Sequence, residues 1–96
     1  MPLALLTLEL RIEHAHSLKD RRQVLRSMKD KLRAKFNVAV AEMQEGDQWQ
    51  RGTVGVVSIS SSRDYLAGLM QNAEREAHRI ASTLSVDIVD SFVDFY

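Results

Sequence analysis

The 96-residue chain contains no cysteine. Disulfide staples, iron–sulfur clusters, thiolate nucleophiles and cysteine-ligated zinc are therefore excluded, whereas a reducing compartment is compatible with the composition. The chain also has no linker, low-complexity tract or short-period repeat. Because a domain usually takes roughly 150 residues, residues 1–96 are predicted to form one domain.

Long apolar runs are absent as well. Runs such as Leu3–Leu6 are far shorter than the roughly 18 apolar residues that a membrane span requires. The cationic start that is typical of a signal peptide is missing too. We therefore expect a soluble cytoplasmic protein with no membrane partner.

Two hydrophobic periods predict the first elements of structure. Alternation from Leu3 to Ile12 indicates a strand with one buried and one wet face. Apolar residues at spacings of three, four and seven between Leu18 and Phe36 indicate a helix, with Ser17 as its N-cap. The short apolar runs Val38–Met43 and Thr53–Ser60 indicate an antiparallel hairpin connected through residues 45–47.

The remaining sequence predicts a second helix and a last strand. Ser61 and Asp64 resemble a capping box ahead of an amphipathic pattern from Leu66 to Leu84. The tail from Val86 to Tyr96 is rich in Val, Ile and Phe, which favour strands. Right-handed crossovers place both helices on one face of the sheet. The predicted fold is therefore an α+β, ferredoxin-like βαββαβ sandwich with a four-stranded antiparallel sheet.

Charge is distributed unevenly, although thirteen Lys and Arg balance thirteen Asp and Glu. The zero total excludes a uniformly cationic coat. Ser17–Phe36, however, holds eight basic residues against two acidic ones, and the acids Asp87, Asp90 and Asp94 cluster near the other end. The molecule is therefore expected to be electrically polarised.

The first helix carries a basic stripe, defined by five cations at spacings of 3, 4, 3 and 4: Lys19, Arg22, Arg26, Lys29 and Arg33. It extends over about 21 Å, enough to follow several phosphates. Mutual repulsion costs the helix roughly 1–2 kcal/mol, and Asp30 is expected to relieve part of it through Arg26 and Arg33. A polyanion would relieve more. The stripe is equally compatible with a solvated face, or with acidic residues of this chain or of a second copy.

Trp49 and Arg51 are the other candidate nucleic-acid contacts. A lone aromatic residue at the start of the third strand can stack on a base, fasten the loop to the body or fill a subunit contact. The central strands lack the aromatic residues with which an RRM reads RNA. Base stacking on the sheet is therefore not expected.

No catalytic residues, cofactor or metal site are predicted, and enzymatic activity is left open with a non-enzymatic role favoured. His14 and His16 supply two ligands at most, so hydrogen bonds near the helix N-terminus suit them better than zinc. Residues 13–17 contain no glycine, which argues against an acylphosphatase-like phosphate loop. The serine-rich stretch from Ser58 to Ser62 has no nucleophile elbow.

Several sequence segments resemble the YlxP-like family of small bacterial proteins, a domain of unknown function. They are Ala15–Arg22, Leu32–Val38, Val40–Glu42 and Trp49–Arg51. The resemblance implies a ferredoxin-like fold, no established catalytic activity, and genes often found beside those for ribosome maturation and translation initiation. The leading hypothesis is a binding module for RNA or a ribosomal subunit. The alternative is a protein-interaction or homodimerisation module that binds no nucleic acid.

Overall fold

The computed structural model describes residues 2–43 and 48–96. Six elements follow each other in the predicted order: β1 (Leu3–Arg11), α1 (Leu18–Lys35), β2 (Ala39–Glu42), β3 (Arg51–Ile59), α2 (Arg63–Leu84) and β4 (Asp87–Phe95). The predicted hairpin connection at 45–47 lies outside the described residues. No helix among the described residues has the length and apolarity needed to cross a membrane.

The four strands form one antiparallel sheet in the order β2-β3-β1-β4. The helices pack side by side on one face, with α1 over β2 and β3 and α2 over β1 and β4. This arrangement is the ferredoxin-like βαββαβ sandwich, so the predicted fold class is confirmed.

The core lies between the helices and the inward face of β1. Leu6, Leu8, Leu10 and Ile12 are completely buried, as their alternation predicts. The opposite face of β1 departs from the prediction at Thr7, which is only 8% exposed. Its cross-strand partner on β4 is Phe92, and a large aromatic neighbour shields a small side chain in a sheet.

Reciprocal hydrogen bonds fix the start of α1. The Ser17 Oγ accepts from the Asp20 backbone N–H at 3.1 Å, and the Asp20 carboxylate accepts from the His16 backbone N–H at 2.9 Å. The predicted N-cap is therefore confirmed. In α2 the capping residue is Ser62, whose Oγ accepts from the Tyr65 N–H. The Ser61–Asp64 prediction was wrong by one residue, because the capping bond forms one position later.

The β4 sequence does not alternate cleanly around Ile88 and Val89, and the structure has a register shift at this point. Leu10 pairs with Ile88 whereas Glu9 pairs with Asp90, so Val89 is the extra residue. A bulge of this kind lets the strand return to its alternating pattern on both sides. The imperfect sequence pattern around Ile88 and Val89 therefore has a structural cause.

Candidate nucleic-acid interface

The basic stripe occupies one side of α1. At about 100° per residue its five cations fall within an arc of roughly 80°, which flanks the buried side that holds Leu25 and Leu32. Four of them are exposed, and Lys29 is half-buried. Arg22 and Arg26 line a surface cavity together with Glu42, so the stripe follows the side of α1 that borders the edge strand β2.

The stripe forms no ion pair within the described part of the chain. Within residues 2–43 and 48–96, no carboxylate lies within ion-pair distance of any of its five cations. Asp30, which is expected to relieve part of the repulsion, forms no ion pair with Arg26 or Arg33. The electrostatic repulsion along the stripe therefore remains available for an external anion to relieve.

Two further cations of α1, Arg21 and Lys35, face the protein, as their positions nearer the apolar side predict. Arg21 is buried, and its Nη1 donates to the Gln48 backbone carbonyl at 2.6 Å. The Lys35 Nζ donates to Glu76 of α2 at 3.1 Å. These two side chains hold α1 to its neighbours and are not part of the stripe.

Glu76 is the carboxylate that joins the two helices, and sequence reasoning missed it. It is buried on the inward side of α2 and bonds both Arg79, one turn ahead, and Lys35. The hydrogen bond from Arg79, followed by that from Lys35, lowers the pKa of Glu76 from 4.5 to about 2, although burial opposes the shift. The same contact raises the pKa of Arg79. A glutamate on the apolar side of α2 was the available signal.

Trp49 lies two residues before the start of β3 and is half exposed. It opens onto a surface cleft of about 870 Å³ whose other described lining residues are polar or charged: Arg11, Glu13, Gln48, Gln50 and Arg51. The structure therefore places Trp49 and Arg51 in one cleft. These two residues and the stripe belong to different elements, and Arg21, which bonds Gln48, connects α1 to the Trp49 segment.

Arg11 is a cleft residue that sequence reasoning did not include among the contacts. It lies directly opposite Arg51 in the β1–β3 register. Like charges at directly opposed positions destabilise a sheet. Among the described residues, one carboxylate, that of Glu13 at 3.9 Å from Arg11, offers partial compensation. The cleft thus combines an indole ring with two adjacent guanidinium groups. The register was the missing information, because sequence alone does not align these two arginines.

The segment that carries Trp49 is tied down on both sides. The Gln50 carbonyl accepts from the Ile12 backbone N–H at 2.8 Å, and the Gln50 side-chain amide donates to the Glu13 carbonyl at 3.1 Å. Together with the bond from Arg21 to Gln48, these contacts hold the residues on both sides of Trp49. About half of the Trp49 surface stays accessible.

His14, one of the two histidines before α1, bonds the end of α2. His14 Nε2 contacts the Leu84 carbonyl at the C-terminus of α2, at 3.1 Å. The expectation that both histidines bond near the N-terminus of α1 was therefore wrong for His14. α2 has no basic residue in its last turn, and the imidazole serves its terminal carbonyls instead. Among the described residues, no group of three potential ligands gathers into a metal site.

These features define a small α+β protein of ferredoxin-like topology that carries the basic stripe on one side of α1. The family described as "Protein of unknown function (DUF503)" matches residues 3–91, and the chain belongs to this family. The uncharacterized protein YlxP of Bacillus subtilis (strain 168) is 35% identical over 81 residues, which cover 84% of this chain and 75% of that protein. The resemblance to the YlxP-like family is thereby confirmed. A solved structure, the de novo designed protein Foldit4, covers 98% of this chain at a TM-score of 0.48 and 11% identity, and the match spans 93% of that structure.

Proposed function

We propose that this protein is a non-enzymatic RNA-binding module that associates with the ribosome or takes part in ribosome maturation. The observation that carries the proposal is the basic stripe. Its cations share one side of α1, and no described carboxylate pairs with them. Such a row matches the repeat of a phosphate backbone, and phosphate contacts supply most of the affinity of non-specific RNA binding.

The Trp49 cleft supplies the second contact. An exposed indole accepts a stacked base of any identity, because every base has a π-face. Arg51 and Arg11 lie beside it and can hold the phosphates that flank such a base. The module would therefore prefer single-stranded RNA and show little sequence preference. Ribosome association rests additionally on the gene neighbourhood that the family resemblance implies.

A charge-matched pair of variants tests the proposal. The double substitution Arg26→Gln, Arg33→Gln removes two stripe cations, whereas Lys31→Gln, Arg75→Gln removes two cations elsewhere on the two helices. Fluorescence anisotropy with a labelled single-stranded RNA should show affinity reduced about tenfold or more by the first pair and nearly unchanged by the second. Equal losses would mean that only net charge matters and would contradict a binding surface on α1.

An apolar patch favours self-association as the second candidate function. The face of the sheet away from the helices carries Leu5, Met43, Val57, Ile59 and Phe92, three of which are exposed. This patch adjoins β2, whose outer edge has no partner strand among the described residues. A second copy could extend the sheet across β2 or cover the patch.

Sedimentation separates the two functions. An apolar dimer predicts a mass that doubles with protein concentration, survives high salt and is lost in Ile59→Lys. A dimer held by the stripe against Asp87, Asp90 and Asp94 of another copy predicts that Lys29→Glu, Arg33→Glu abolishes it. An unchanged monomer mass with RNA retention lost in Lys29→Glu, Arg33→Glu favours the RNA-binding module.

A further inference from the structure

Arg21 is a buried cation with too few partners. It is 7% exposed. Within residues 2–43 and 48–96 its one hydrogen bond runs to the neutral carbonyl of Gln48, and its buried Nε has no acceptor. Within the described ranges no carboxylate forms an ion pair with it. Buried charges in proteins are normally paired, because an unpaired one loses its hydration without compensation. The charge of Arg21 therefore calls for a nearby anion.

A surface cavity next to Arg21 has room for such an anion. It measures about 280 Å³ and lies between α1 and β2, lined by Arg21, Arg22, Leu25, Arg26 and Glu42. Counted over the described lining residues, three guanidinium groups against one carboxylate leave an excess of two positive charges. The planar fork of a guanidinium matches the oxygens of a phosphate better than any other side chain does.

We propose that this cavity binds a terminal phosphate monoester, such as the 5′-phosphate of an RNA strand. A monoester carries a charge of about −1.5 to −2 at neutral pH, which balances the cavity, whereas an internal phosphodiester carries only one negative charge. The inference rests on the proposed RNA-binding function and adds to it which part of the strand is held. Arg22 and Arg26 belong both to this cavity and to the stripe, so a strand that begins at the cavity can continue along α1.

Glu42 gives the proposal a variant with a predicted gain. Among the described residues that line the cavity, Glu42 carries the one negative group, and its carboxylate repels a phosphate placed there. Glu42→Gln removes that repulsion and leaves the guanidinium groups in place. Since Glu42 is exposed at the end of β2, the substitution should leave the fold intact. A tighter complex cannot be explained by unfolding, whereas a weaker complex of an Arg21 variant could be.

The test compares one RNA oligonucleotide in two forms, with a 5′-phosphate and with a 5′-hydroxyl. The wild-type protein should bind the phosphorylated form about tenfold tighter, Glu42→Gln should widen that ratio, and Arg26→Gln should narrow it. Equal affinity for both forms would overturn the inference and leave the proposed function standing. Failure of both RNAs to bind would overturn the proposed function alone.

A titration with a small phosphate ligand tests the cavity without RNA. The side-chain Nε–Hε resonance of Arg21 is followed by NMR during titration with uridine 5′-monophosphate and, as the control, with uridine. A shift with the monophosphate and none with the nucleoside supports the phosphate cavity whatever the RNA result. An Arg21 resonance that does not move with either ligand overturns it.

Discussion

The Arg21 Nη1 lies 2.6 Å from the carbonyl oxygen of Gln48, so a side chain of α1 holds the backbone next to Trp49. This bond links the two parts of the proposed RNA-binding surface, which lie on different elements. Trp49 is the sole tryptophan of the chain, so its fluorescence reports on this segment alone.

We predict that Arg21→Met loosens the Trp49 segment. Methionine keeps most of the length of the side chain but cannot donate to the Gln48 carbonyl, so the indole should become more mobile and more open to solvent. Acrylamide quenching should increase in Arg21→Met and stay at the wild-type level in the control Arg22→Met, which removes a neighbouring exposed cation. Identical quenching in all three proteins would show that the bond does not position Trp49.

Glu76 should make the protein sensitive to acid. The pKa of Glu76 is about 2 in the folded protein and about 4.5 in the unfolded chain. The contacts with Arg79 and Lys35 therefore stabilise the fold fully above pH 4.5. This contribution is lost as the pH falls from about 4.5 to 2. Urea unfolding should show Glu76→Gln less stable than wild type at pH 7, with the difference shrinking through that window.

The control for Glu76 is Asp30→Asn, because Asp30 is exposed and makes no ion pair with the described cations. Its unfolding midpoint at pH 7 should be close to that of wild type. A Glu76→Gln difference that stays constant from pH 7 to 2 would contradict the assigned pKa.

Two glycines should respond to alanine with opposite signs. A Cβ at Gly52 of β3 would lie 2.8 Å from a methyl carbon of Leu25. Leu25 is a residue of α1 whose side chain is buried in the core. Gly52→Ala should therefore lower the free energy of unfolding by about 1–3 kcal/mol. Gly68 is exposed in α2 with nothing within 4 Å, so Gly68→Ala should raise it by about 0.5–1 kcal/mol.

Thermal or chemical unfolding of these two variants is a direct check on the packing of α1 against β3. A Gly52→Ala protein as stable as wild type would show that Leu25 can move aside, and the close approach of α1 would then not depend on glycine.

The sequence pattern alone was sufficient for the elements whose determinants are local. The alternation of β1 and the Ser17 cap of α1 each depend on residues close together in the chain, and both were confirmed. The α1 stripe could be anticipated for the same reason, since helix geometry fixes which side chains share a side.

Other features depend on contacts between distant segments and could not be predicted. The ion pair between Glu76 and Lys35 forms only because α1 packs against α2. Arg11 lies opposite Arg51 only because of the register in which β1 pairs with β3. The bond from Arg21 to Gln48 likewise joins residues 27 positions apart. Amphipathic patterns show that Arg21 lies near the core, but not which group it bonds there.

The salt dependence of RNA binding tests the central claim most directly. Each phosphate contact with a single strand contributes a slope of about −0.7 to the logarithm of affinity against that of salt concentration. With five contacts from the stripe, raising salt from 50 to 200 mM should weaken binding of a single-stranded RNA roughly a hundredfold. In Arg26→Gln, Arg33→Gln the slope should be shallower by about 1.4. Affinity that stays flat across this range, or a slope that is the same in both proteins, would contradict phosphate recognition by α1.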